Sequence, residues 1–307
     1  MNTDVAKGRA SSKDTVRIAA ISDLHCRRDS KPWLRPVFEQ IAGEADILVV
    51  CGDITDWGRA GECEVFLKQA APVLQKIPVL AVLGNHDVES GKQDELVEQL
   101  LSAGVSMLDG NSLTVGGVGF TGVKGFGGGF GKMAVQPLGE GAVKNFVSES
   151  VLEAQKLEAG LSALNQKLPR IALLHYAPIR ETVAGEPLEL FPFLGSSGLE
   201  EPVNKYAATA VFHGHAHAGS LEGKTSANVP VYNVCASVLK KRFPGRPPFF
   251  VLDVPVGSGV SPQTGCRAPT CPTGCAGGRS EGSPHRLPSD VFTVVSSRPV
   301  KNERGFS

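Results

Sequence analysis

ADILVVCGDITD (residues 45–56) is an unbroken apolar run that stops abruptly in acid. A strand with one wet face alternates apolar and polar residues. A continuous run this short, ending at a glycine, reads as a strand buried on both faces. The same form recurs along the chain. VRIAAIS (16–22) runs into DLH, PVLAVL (78–83) into GNHD, RIALL (170–174) into HYAP, and TAVF (209–212) into HGHAH. Between these runs lie helical patterns at 32–43, with Ser30 as a plausible N-cap, and at 60–76. Others fall at 94–104, closed by Gly104, and over 141–168. In the last, Leu152, Leu157, Leu161, Leu164 and Leu168 keep close to 3.6-residue spacing. Strand–helix alternation of this kind predicts an α/β layered domain over 15–254, completed by strands in 229–234 and 247–254. Residues 1–14 read as a flexible leader. In the last 53 residues, 23 are Gly, Pro or Ser, too little apolar surface for a core, so 255–307 reads as a disordered tail.

Bulk properties narrow the function. The 307 residues are 41% hydrophobic and 20% charged, with 31 basic and 31 acidic side chains. A zero balance leaves no overall electrostatic footprint for nucleic acid. No apolar run approaches the roughly 20 residues of a membrane span. The N-terminal stretch has no apolar core of a secretory signal. Seven cysteines without a paired framework fit a reducing compartment, so the expected location is cytoplasmic. Cys51 and Cys235 read as plain buried thiols, and Cys266, Cys271 and Cys275 match no zinc spacing.

The polar residues carry the chemistry. In α/β sheets, ligand sites gather beyond the carboxyl ends of the strands. Five runs here deliver Asp, Asn or His to that edge, including six of the seven histidines. Carboxylate, imidazole and amide oxygen without thiolate suit Mn, Fe or Zn. The donors outnumber the needs of one ion, which points to two ions a few Å apart sharing a carboxylate. Such a centre is net positive and suits an anionic ester.

These residues also form a known series: Asp23-x-His25, GDxxD (Gly52–Asp56), GNHD (Gly84–Asp87), a lone His175 after a strand, and GHxH (Gly214–His217). In this order the chain resembles the calcineurin-like metallophosphoesterase superfamily. The resemblance implies a four-layer α-β-β-α sandwich with a dinuclear metal site at the carboxyl edge of its strands. It implies one ion held by Asp23, His25, Asp53 and His217, and a second by Asp53, Asn85, His175 and His215. It implies His86 as the residue that contacts phosphate and protonates the leaving oxygen, with Asp87 orienting His86. The activity implied is phosphoester hydrolysis by a metal-bridging hydroxide, with two divalent or mixed-valence ions (Mn, Fe or Zn) as cofactors. His213 has no counterpart and is expected to be structural or to support a ligand residue from behind.

Trp57-Gly58-Arg59 after Asp56, and Asp87 in place of Glu, depart from the protein phosphatase pattern. The GNHD and GHAH forms look more like bacterial phosphodiesterases, so a small phosphodiester or nucleotide is the expected substrate. A phosphomonoesterase is the alternative. A nuclease lacks its basic groove, and a dead scaffold would have lost ligands. Other readings stay open. Asp56 either caps the following helix or touches substrate. The loop 122–133 is a flexible turn or a lid carrying Phe126 and Phe130, and it fails the phosphate-loop pattern at Phe126 and Met133. In the loop 175–201, Tyr176 and Arg180 could reach substrate, while Phe191 and Phe193 read as packing.

Overall fold

From Ile47 to Asp56 the run quoted first is buried at every position, and the reason is a sheet on one side and helices on the other. The computed structural model describes residues 14–256. In chain order these form β1 (Thr15–Ile21), α1 (Leu34–Glu44), β2 (Ile47–Cys51), α2 (Ala60–Leu74), β3 (Val79–Val82), α3 (Gln93–Ser102), β4 (Val105–Met107), β5 (Ser112–Val115) and β6 (Val118–Val123). Then follow α4 (Gly141–Ala163), β7 (Arg170–Leu174), α5 (Phe191–Leu194), α6 (Glu200–Lys205), β8 (Ala210–His213), β9 (Glu222–Lys224), β10 (Pro230–Asn233), α7 (Ala236–Arg242) and β11 (Phe250–Pro255).

Two sheets result, ordered β11-β1-β2-β3-β4 and β5-β6-β7-β8-β10-β9. Their interiors are parallel, and antiparallel strands β11, β5 and β9 lie at edges. Side chains alternate along each strand, so each run feeds two cores. Leu48 and Val50 of β2 pack under α1, α2 and α3 with Phe38 and Phe66, whose rings meet edge to face at 5.9 Å. Ile47, Val49 and Cys51 point the other way, against Phe120, Leu173 and Phe212 of the second sheet. On that sheet Ala172 and Leu174 turn outward beneath Leu157 and Leu161 of α4 and Val203 of α6. The layers are therefore helix, sheet, sheet, helix. No helix among the described residues is long and apolar enough to cross a membrane.

Several local expectations change. The helix predicted at 32–43 begins at Leu34. Ser30 does not cap it, because its hydroxyl accepts from Arg27 N instead. Helix α4 ends at Ala163, so Leu164 reaches the core from an extended residue, and Leu152 is exposed. The strict leucine spacing thus overstates the buried face, because α4 covers the second sheet only along its C-terminal half. Strand β9, too short and polar for the apolar pattern, was not anticipated. The leader and tail expectations fall, apart from residues 14, 255 and 256, outside the described residues.

The α4 face is directly testable. Leu157→Ala should cost about 2–5 kcal/mol in urea unfolding, as a buried truncation. Leu152→Ala should stay within about 0.5 kcal/mol. Equal losses would contradict this packing.

Candidate metal centre

Strands from both sheets end at one edge, and each ends just short of a polar side chain. Asp23 lies two residues past β1, Asp53 two past β2, Asn85 three past β3, His175 directly after β7, and His215 and His217 just past β8. The turns are unusual. Asp23, His25, Asp53 and His215 have positive φ, between 43° and 69°. Such backbone is disfavoured for side-chain-bearing residues and clusters where a site is held in shape. Two glycines make room for it. A Cβ at Gly84 would collide with Asp53 Oδ1 and its backbone nitrogen, and one at Gly214 with Ser22 Oγ and Asp23 Oδ2.

The donors converge in two groups that share Asp53. Asp23, His25, Asp53 and His217 form one, and Asp53, His175 and His215 the other, each with donor atoms within 4.8 Å of one another. Asn85 Oδ1 lies 2.9 Å from His175 Nε2 and so adjoins the second group. All seven predicted ligand positions are therefore brought together.

Hydrogen bonds set the imidazoles' lone pairs. His175 Nδ1 donates to Cys51 O at 2.9 Å, and His215 Nε2 to Phe193 O at 3.1 Å. His25 Nδ1 faces Asp56 Oδ1 at 3.2 Å. A carbonyl only accepts, so in each ring the opposite nitrogen holds the lone pair. For His25 and His175 that nitrogen, Nε2, points at Asp53, at 3.7 and 3.4 Å. Burial lowers the pKa of His25, His175 and His215, which favours their neutral rings. His217 is raised, chiefly by its hydrogen bond to Asp23.

Cations fit this arrangement. Asp53 Oδ2 is buried without a hydrogen-bond partner. Burial first, then the charges of Asp23 and Asp87, push the Asp53 carboxyl up to about 10. A buried carboxylate ringed by acceptors is costly until positive charge is supplied. The oxygen- and nitrogen-rich donor set matches hard or borderline divalent ions.

A profile of calcineurin-like phosphoesterases matches residues 16–219, which span every predicted ligand. The chain belongs to the calcineurin-like phosphoesterase family. The family works with a dinuclear divalent metal site, and this phosphoesterase is a hydrolase of phosphoric esters. No curated protein matches it. Among solved structures, phosphopantetheinyl hydrolase from Mycobacterium tuberculosis is similar with a TM-score of 0.55 at 17% identity, covering 81% of this chain and 99% of that one. The protein TT1561 of Thermus thermophilus gives 0.47 at 16%, covering 73% and 91%. Purple acid phosphatase PPD1 from yellow lupin gives 0.45 at 14%, covering 69% and 39%. At these identities the first likeness supports the fold alone.

Around the cluster, three expectations are corrected. Asp87 does not orient the His86 ring. Its carboxylate accepts from Ile54 N, Thr55 N, Thr55 Oγ1 and Gly84 N, tying the β2 and β3 loops together. The His86 ring is held by Asp56 O, 2.8 Å from Nδ1, and its backbone N donates to Asp53 Oδ1. Asp56 does not cap α2, where Glu62 accepts from Trp57 N instead. Its side chain joins His25 to Arg27 Nε at 2.7 Å. Cys235 is not a plain thiol. Its Sγ donates to Asp23 Oδ2 at 2.7 Å. Asp23 also accepts from His215 N and His217 Nε2.

His213 is structural, as expected. It is buried, with Nδ1 donating to Gly214 O and Nε2 beside Thr182 Oγ1, both at 2.8 Å. The loop at 122–133 is a packed turn. Phe126 contacts Phe146 and Tyr176, and Gly128 and Gly129 bond to Pro192 and Gly195. The Tyr176 ring lies tilted 4.3 Å from that of His215, while Arg180 lies over Phe191. Phe191 is buried, and Phe193 is 57% exposed. A cavity of about 630 Å³ between α2 and α3 contains none of these groups.

Both the thiol contact and the buried His213 can be tested. Cys235→Ala should weaken Mn²⁺ affinity about ten- to hundredfold by freeing Asp23 Oδ2, and Cys235→Ser should restore most of it, read by chelator competition. Burial holds His213 down to about 4, below its unfolded value near 6.5. As pH falls from 6.5 toward 4 the unfolded chain gains this proton before the native one, so stability drops. Between pH 7 and 5 wild type should lose about 2 kcal/mol more than His213→Gln, measured by denaturant midpoints.

Proposed function

We propose that this chain hydrolyses a small phosphodiester, nucleotide diesters included. What supports a diester is that surface for a substituent lies on both sides of the shared Asp53. Beyond Asp23, His25 and His217 opens a cavity of about 340 Å³. Beyond His215 lie the Tyr176 ring and the exposed Phe193. A monoester would use one of these sides.

In this reading Asp23, His25, Asp53 and His217 hold one divalent ion, and Asp53, Asn85, His175 and His215 the other. When bound, two such ions supply charge for the phosphoryl oxygens and lower the pKa of water. The chain does the rest. Cys235, Asp56, Cys51 O and Phe193 O fix the ligands before substrate arrives, so little reorganisation is left for the reaction. His86 has Nδ1 committed to Asp56 O, so Nε2 is the atom that passes a proton to the departing oxygen. The His86 and His25 rings lie 4.6 Å apart between centroids, which supports this role. Four buried, unpaired cysteines, Cys26, Cys51, Cys63 and Cys235, support a reducing, cytoplasmic setting.

The test is hydrolysis by protein stripped with chelator and reloaded with Mn²⁺. Bis-p-nitrophenyl phosphate should be cleaved faster than p-nitrophenyl phosphate. Asp53→Asn should lose at least about a hundredfold in kcat/KM together with bound metal, whereas His86→Ala should lose kcat and keep its metal. Faster monoester cleavage would overturn the choice of a diester. Full metal and turnover in Asp53→Asn would overturn the shared carboxylate.

A further inference from the structure

We propose that the cavity of about 340 Å³ beside Asp23, His25 and His217 is a subsite for a second anionic group of the substrate, read by Lys240 from a seat on Trp33. The proposal rests on the phosphoester reading of the cluster.

The construction begins at Cys235. Its bond to Asp23 and the pairing of Ser22 with Cys235 pin the end of β10 against the metal-facing turn of β1. Helix α7 starts at the next residue, so Ala236 and Lys240, four apart, share the face over the cavity. Ser237 Oγ donates to His217 O and fixes that turn to the cluster. Lys240 Nζ then lies 4.1 Å from the centroid of the Trp33 ring, at the start of α1. A cation over an indole face is held in place by the ring quadrupole. Both residues line the same cavity as the three cluster residues.

The charge of Lys240 is what lacks a partner. Arg27 pairs with Asp56, and Lys124 Nζ bonds Gly125 O. Among the described residues no carboxylate pairs with Lys240, and its one contact of note is the indole. An ammonium seated over an indole and lining a cavity that ends in Asp23, His25 and His217 suits a ligand with two negative ends. One is the phosphoryl group at the cluster. The other is a carboxylate or a second phosphate. The volume is at the small end of roughly 300–1,000 Å³ for ligand pockets, enough for a ring or short chain between the two charges.

The experiment measures binding, so it does not depend on turnover. Metal-loaded protein is titrated by calorimetry with phenylphosphonate, 4-carboxyphenylphosphonate and 1,4-phenylenediphosphonate. These do not hydrolyse. The second anionic group should tighten binding about fivefold in wild type, and the larger gain identifies carboxylate or phosphate. In Lys240→Met, which keeps the apolar stem, the gain should collapse to about onefold. In Lys241→Met it should persist. No gain in wild type, a gain that survives Lys240→Met, or an equal loss in Lys241→Met would overturn the subsite. Binding of phenylphosphonate without a gain would leave the ester-hydrolase reading standing and the subsite refuted. Binding of none of the three would refute both.

Discussion

Asp53 is a carboxylate buried to 1% exposure, and one of its oxygens has no hydrogen-bond partner among the described residues. Everything at the active edge is arranged around that cost. The two sheets bring imidazoles from opposite layers to it, His25 from the first and His175 from the second. Positive-φ turns and the absence of a Cβ at Gly84 let the chain come close enough. Divalent ions bound there would relieve the repulsion and so link metal binding to the stability of the fold.

The surrounding shell makes the arrangement specific. Backbone carbonyls and carboxylates take the outward nitrogens of three imidazoles, which leaves the inward lone pairs for ligation. The Asp87 carboxylate clamps two loops that carry ligands, and the Cys235 thiol holds Asp23. Each of these groups fixes where a donor atom of the cluster sits. The same Cys235 anchor places α7 and with it Lys240, so Asp23 and the cavity beside it share one mechanical link.

How legible this was depended on range. Apolar runs ending in Asp, Asn or His announced both the strands and the ligand edge, because burial on two faces and a polar terminus are local facts. Asp87 and Asp56 were misplaced for the opposite reason. Adjacent numbering put Asp87 beside the His86 ring, yet its oxygens turn back to the loop after β2. Asp56 sits ahead of a helix, as a cap would, yet its partners are on the loop after β1. Leu152 shares the helical period of Leu157 but extends past the sheet that buries it.

The sequence by itself determined the alternation of strands and helices, the family series and the identity of every ligand candidate. Those follow from periodicity, side-chain chemistry and order along the chain. Tertiary structure alone decided which nitrogen of each imidazole faces inward, that Cys235 serves Asp23 across 212 positions, and that Lys240 meets Trp33 over a cavity. These depend on which loops touch after two sheets stack, and no pattern along one strand encodes contacts made between layers.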